Sequence, residues 1–277
     1  MNKTGHVALA MGLGSVFLSR YLMPSTLSDL MPAAITMVGI AAGSLAPDID
    51  HKTSTASKLI TPFSAGMRKG LRRWGMLLQL LGILCIIFEW ITPWIPPSIS
   101  GTTWYAWALE SIFPAGLLVW GAGLLLVLLA RLRDLILLGV GAWLIGAYAL
   151  YHLHWFLVFV GVALMILPVV KHRGIIHTPE FAFVFSIGAL SLTAGGLWYV
   201  SAAITGFVIG WWLHLAGDIF GEEGIHSLLV PKLRVALRLF RNGGAAERWI
   251  SRISWGIAIV CWLFILDHLR AGILLAA

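Results

Sequence analysis

Apolar runs dominate the chain, lying near 5–22, 31–47, 75–95, 112–130, 135–151, 155–170, 180–199, 203–220 and 253–270. Each approaches the about 20 residues that a helix needs to cross a bilayer. The pattern predicts an all-α fold: a polytopic transmembrane helical bundle of about nine helices, with 1–277 as a single integral membrane domain. Two of the runs are short and end in acids. The second closes on Pro47, Asp48, Ile49, Asp50 and His51, and the eighth runs into Asp218. A helix that ends this way faces a polar cavity rather than lipid. Lys3 precedes the first run, as in a secretory leader, but no small-x-small cleavage pattern follows before Arg20 and the run contains His6. A retained first helix is expected.

Two polar stretches carry a second pattern. Residues 57–74 place Leu59, Ile60, Phe63, Met67, Leu71 and Trp74 among basic residues at roughly helical spacing, and residues 228–241 do so with Leu229, Leu233, Leu237 and Phe240. Both predict amphipathic helices in the membrane interface, within the basic segments 52–74 and 221–252.

Charge orients the bundle. Alternating nine spans puts all but Arg20 and Arg270 of the 19 Lys and Arg residues on the side of Lys3. The positive-inside rule makes that side cytoplasmic, with the N-terminus inside and the C-terminus outside. Composition agrees with a lipid solvent. The chain is 59% hydrophobic and 11% charged, against about 25% charged in soluble domains. Fourteen Trp, thirteen Phe and five Tyr supply interfacial belts. The net charge of +7 then points to anionic membrane lipids as partners and not to nucleic acid. Cys85 and Cys261 sit in separate apolar runs and read as buried small hydrophobes.

The same topology sorts the ionisable residues. His6 opens the first helix at the cytoplasmic end. Asp48, Asp50 and His51 close the second at that end, and His172 and His177 flank the turn between the sixth and seventh. His214 and Asp218 lie four apart on the eighth helix and so share one face. His152, His154 and His268 fall on the far side. Five histidines and three aspartates from four separated segments therefore reach one level of one leaflet. Singly, each has an ordinary role as an interfacial histidine or a cap. Together they lack counter-charge unless a cation supplies it.

Imidazole plus carboxylate without thiolate suits a divalent metal, Zn²⁺ first, with Mn²⁺ or Fe²⁺ as alternatives. Eight candidates exceed the ligands of a single zinc. Either two or more ions share the site, or some residues orient ligands, carry protons or touch substrate. Arg173, between His172 and His177, could stabilise developing negative charge or simply anchor the loop.

The segments Gly43-Ser-Leu-Ala-Pro-Asp-Ile-Asp-His51, His172-Arg-Gly-Ile-Ile-His-Thr178 and His214-x3-Asp218, with His6 near the start, resemble the YdjM-like family of inner-membrane metal-dependent hydrolases. The resemblance runs from about residue 5 to 231. It implies a bacterial inner-membrane location and metal-site roles for His6, Asp48, Asp50, His51, His172, His177, His214 and Asp218. Through the family's remote similarity to zinc-dependent phospholipase C and P1-type nucleases, it also implies phosphodiester chemistry. The chain departs from the family at Ile176 and Gly221, where hydroxyl residues are usual. The expected activity is metal-dependent hydrolysis of a phosphoester or ester in a membrane-associated, lipid or phosphorylated substrate. Asp48 or Asp50 serves as base or ligand, and Arg173 assists. An ion or proton-coupled transporter and a metal-stabilised scaffold are the competing readings.

Overall fold

The structure, a computed structural model, describes residues 1–50, 54–91, 94, 103–170, 174–230 and 232–276. His51, His172 and Arg173 lie outside the described residues. The fold is all-α. Its helices are α1 (Lys3–Tyr21), α2 (Leu30–Gly43), α3 (Thr55–Ile60), α4 (Ala65–Ile91), α5 (Thr103–Ala130), α6 (Leu132–Tyr151), α7 (Phe156–Ile166), α8 (Pro179–Ser191), α9 (Trp198–Phe220) and α10 (Ala245–Ala276). Short 3-10 turns at Pro47–Asp50 and Ile175–His177 punctuate them. Every predicted apolar run contains a helix.

Six helical segments are long and apolar enough to cross a membrane: Leu27–Asp50, Ala65–Ile91, Glu110–Ala130, Leu132–Tyr151, Trp198–Phe220 and Ala245–Gly272. The protein is a multi-pass membrane protein. Three of the nine predicted spans fall outside this set. α7 has 11 residues and α8 has 13, so at 1.5 Å per residue each rises only about 16–20 Å against a hydrocarbon core of about 30 Å. Pro168 follows the first, and Gly195, at φ +74, follows the second. α1 has the length, but its buried face is built from Gly5, His6, Ala8, Ala10, Gly12, Gly14 and Ser15 with only Leu18 large. That composition suits packing against other helices more than exposure to lipid.

The chain packs as two compact units, Met1–Ser57 with Leu138–Ala277, and Lys58–Leu137. In the second unit α4 and α5 form a hairpin whose backbones meet at glycines. A Cβ on Gly75 would sit 2.7 Å from the Gly123 carbonyl, and one on Gly82 would sit 2.6 Å from that of Gly116. Arg68, Lys69, Arg72 and Arg73 occupy the first turns of α4. The predicted amphipathic stretch 57–74 is thus mostly helical, but as α3 followed by the start of a continuous 27-residue helix.

The first unit holds the predicted site. Its core pairs α2 with α9 and α1 with α10, and α1 also packs on α2 and α9. Ala10, Leu18, Ala33, Met37, Ile40, Ile265 and Leu269 form one buried apolar cluster there. α2 and α9 touch through reciprocal glycine pairs four residues apart, Gly39 and Gly43 against Gly206 and Gly210. A Cβ would lie 2.0 Å from the Phe207 carbonyl at Gly43, 2.1 Å from that of Thr36 at Gly206 and 2.1 Å from that of Ile40 at Gly210. Only hydrogen fits at these positions. Such small-xxx-small contacts are how helices associate where lipid leaves no hydrophobic force between them.

No helix forms among the described residues of 228–241. Ile225–His226 and Arg234–Val235 instead pair as a short antiparallel hairpin, Ile225 opposite Val235 and His226 opposite Arg234. Gly224, at φ +64, turns the chain into the first strand, where any Cβ would strike the Val235 carbonyl at 2.2 Å. Arg234 donates to the carbonyls of Glu223 at 2.7 Å and Glu222 at 3.0 Å. Apolar residues three and four apart fit a helix by period, but these local hydrogen bonds and the left-handed glycine win.

Candidate metal centre

Four segments of the first unit deliver the site. The α2–α9 glycine contact sets the end of α2, and hence the 3-10 turn Pro47–Asp50, beside the last turns of α9, which carry His214 and Asp218. Gly217 leaves room for α1. A Cβ there would lie 3.1 Å from His6 Nδ1. Thr178 caps α8 by accepting the Phe181 N–H at 3.2 Å, and its own hydroxyl donates to the Ile175 carbonyl at 2.7 Å. This double bond fixes the turn that presents His177.

Asp218 lies at the middle of the cluster. Its Oδ1 stands 3.3 Å from His6 Nε2 and 3.1 Å from the Met1 amino nitrogen. Its Oδ2 stands 3.4 Å from His214 Nε2 and 4.0 Å from His177 Nε2. Asp48 Oδ1 lies 3.7 Å from His177 Nε2 and 4.0 Å from His214 Nε2. On the other edge of the same imidazole, His177 Nδ1 lies 3.5 Å from Asp50 Oδ2. The His6 and His214 rings stack at 3.8 Å and 12°, and the His177 ring meets His214 edge-on at 5.2 Å.

The His214 tautomer follows from its partner. Nδ1 lies 2.8 Å from the Ser44 carbonyl oxygen, and a carbonyl only accepts. Nδ1 therefore carries a hydrogen, and in the neutral ring that a metal requires it is Nε2 that presents a lone pair to the cluster. Among the described residues, neither His214 Nε2 nor His6 Nδ1 has a hydrogen-bond partner, although both are buried. Leaving such atoms unmatched costs about 1–3 kcal/mol each. A cation would satisfy the unmatched lone pair of His214 Nε2. Among the described residues two triads have the spacing to hold a metal ion: the buried His6, His214 and Asp218, and the half-buried Asp48 with the buried His177 and His214. The residues present fit a metal by donor type and by these unmatched nitrogens.

Burial is uneven. The side chains of His6, Asp50, His177, His214 and Asp218 are at most 2% exposed, whereas Asp48 is 24% exposed. The cluster is thus sealed on the helix side and reached past Asp48. At His177, outside the membrane-spanning segments, burial opposes the charged ring, but the flanking Asp48 and Asp50 carboxylates outweigh it and push the pKa up to about 9.

Of the eight predicted metal-site residues, six are described, and all six converge: His6, Asp48, Asp50, His177, His214 and Asp218. His51, His172 and Arg173 lie outside the described residues. Residue-type reasoning missed Ser44 and Gly217. Ser44 acts through its backbone carbonyl, which no side-chain pattern marks. Gly217 adjoins Asp218 and matters only by what it leaves empty. The i, i+4 glycine pairs on α2 and α9 were a readable signal for the helix contact that assembles the site.

No protein-family model, no curated protein and no solved structure matches the chain.

Proposed function

We propose that the protein is a membrane-embedded, metal-dependent hydrolase that cleaves a phosphoester or ester in a membrane-associated, lipid substrate at the cytoplasmic leaflet. One observation carries this reading: a cluster of three imidazoles and three carboxylates, all but Asp48 buried, that forms two metal-spaced triads sharing His214, whose Nε2 makes no hydrogen bond among the described residues. The motif resemblance to the YdjM-like hydrolases supports the same chemistry.

His6, His177, His214, Asp48 and Asp218 supply the ligands in this reading, and Asp50 positions His177 from the far edge of its ring. Carboxylate–histidine pairs of this kind orient ligands in many metal sites. Both triads require His214, and its single available lone pair serves one ion. The described ligands therefore make one centre, not two. Zn²⁺ suits the donor set best, with Mn²⁺ or Fe²⁺ as alternatives. A bound ion would supply Lewis acidity and bring the pKa of a water ligand down to about 7. Asp48, the one solvent-reaching carboxylate, stands where water and substrate approach and is the candidate to accept a proton. His51, His172 and Arg173 adjoin these segments in sequence, and the motif resemblance supports metal-site roles for the two histidines and an assisting role for Arg173 toward the substrate's negative charge.

Two observations weigh against the competing readings. A transporter needs polar groups along a path. Here the helices that carry the site are closed by Ala10, Met37, Ile40 and Leu213. The buried hydroxyls of Ser15 and Thr36 donate to carbonyls of their own helices, Met11 and Pro32. A purely structural metal would be enclosed, and Asp48 is not. The test is hydrolysis of phospholipid and isoprenoid-phosphate panels by purified, metal-loaded protein. Activity that disappears in Asp48→Asn and His214→Ala is expected. Turnover that survives in both would refute the assignment.

A further inference from the structure

A second feature of the first unit has the dimensions of a ligand site. α7, α8 and α9 enclose a groove of about 730 Å³, within the about 300–1,000 Å³ of small-molecule sites. Ala163 and Ile166 of α7, Val184 of α8, Trp212 of α9 and the turn residues Ile175 and Ile176 form its walls. Leu228 and Leu229 of the hairpin loop close one side.

Its polar atoms are already engaged. Glu180, the one charged lining residue among those described, accepts from the Ser227 hydroxyl and from the Leu228 N–H at 3.0 Å. The Trp212 indole N–H donates to Ser186 Oγ at 2.9 Å. The described lining thus offers a ligand an almost wholly hydrocarbon surface. It also adjoins the metal centre. Ile175 and Ile176 form its wall, and the next residue in the same 3-10 turn is His177. Trp212 is two residues from His214 on α9.

We propose that this groove holds one hydrocarbon chain of a membrane phospholipid, the substrate, and so sets its head group at the level of His177 and Asp48. The inference rests on the hydrolase reading for the word substrate, but the seat for the chain is a separate physical claim. A loose coat of bulk lipid would treat this groove like any other apolar surface. A built seat would not. Glu180 ties the Leu228–Leu229 loop over the groove, which gives a chain walls on several sides rather than one.

The experiment uses the full chain in phospholipid nanodiscs with a phosphatidic acid probe carrying a diazirine at the end of one acyl chain. Labelled peptides are mapped after illumination. The groove residues within 159–170 and 175–184 should be labelled about tenfold over the exposed apolar residues Ile259, Val260 and Leu263 of α10. Val184→Trp fills the groove from an exposed position, and Ala163→Trp fills it from the facing wall. Each should cut groove labelling about tenfold while leaving zinc content unchanged. Labelling spread evenly over α10 and the groove, or unchanged in both variants, overturns the proposal. The two claims fail separately. Groove labelling in a metal-loaded protein that hydrolyses no lipid upholds the seat and refutes the hydrolase. Hydrolysis with even labelling refutes the seat alone.

Discussion

Gly210→Ala tests how the site is assembled. The added Cβ would lie 2.1 Å from the Ile40 carbonyl oxygen and 2.8 Å from the Ser44 nitrogen. Real Cβ contacts essentially never fall below 3.0 Å, so α2 and α9 must part by about 0.9 Å. Both obstructing atoms are backbone, and no rotamer change relieves them. Overpacking of this kind costs about 1–3 kcal/mol. The larger effect should be on the metal, because Ser44 holds His214 through its carbonyl and α2 leads directly into Asp48. Metal–ligand distances tolerate about 0.2 Å, several times less than the required shift. Disturbing ligand orientation typically costs about 10–100-fold in metal affinity. Zinc affinity by competition with a chromophoric chelator should therefore fall by that much, with helix content by circular dichroism retained. Gly139→Ala is the control, since its Cβ meets nothing within 4 Å, and removing a glycine from such a helix stabilises by about 0.4–1 kcal/mol. Wild-type zinc affinity in Gly210→Ala would show that the helix contact does not set the site.

Three further outcomes follow from the same geometry. Asp218→Asn keeps the side-chain shape but removes the charge that faces His6, His177 and His214, and should lower zinc affinity about 100-fold, measured by the same competition; unchanged affinity would remove Asp218 from the ligand set. In the metal-free protein the His177 pKa is about 9, above its unfolded value. Its contribution to stability is thus present below about pH 6.5 and is lost as pH rises through about 9. A metal ligand must be neutral, so zinc uptake at pH 7 should release that proton, and affinity should climb up to about tenfold per pH unit until about pH 9. Calorimetry in buffers of different ionisation enthalpy reads the proton directly, and no release would exclude His177 as a ligand. Glu180→Gln weakens the tie to Ser227 and Leu228 and should speed amide exchange and proteolysis at 225–235 without altering zinc content; unchanged protection there would mean the hairpin is held by other contacts.

Much of this architecture was legible in the residues. Runs of apolar residues located a helix in each predicted place, because lipid demands both apolar side chains and internally satisfied backbone. Run length was a poorer guide to crossing. α7 and α8 stop early at Pro168 and before Gly195, and α1 is buried by small residues around His6. At 228–241 helical spacing misled, since Gly224 and the Arg234 bonds to Glu222 and Glu223 favour a hairpin. The distribution of Lys and Arg over nine alternating runs led to the expectation that His6, Asp48, Asp50, His177, His214 and Asp218 lie together, and the structure brings these six side chains into one cluster. What spacing cannot give is division of labour. That Asp50 faces the back of the His177 ring while Asp48 faces the front is decided by the 3-10 turn. The His214 tautomer is decided by a Ser44 carbonyl that has no side-chain signature.

Whether the cluster binds a metal is decided by elemental analysis of purified protein beside His214→Ala. His214 belongs to both candidate triads and presents one lone pair. The wild-type chain should carry one divalent ion, and the variant, still inserted and helical, should carry almost none. A wild-type protein that binds no divalent metal, or a His214→Ala variant that keeps the full complement, would contradict the account.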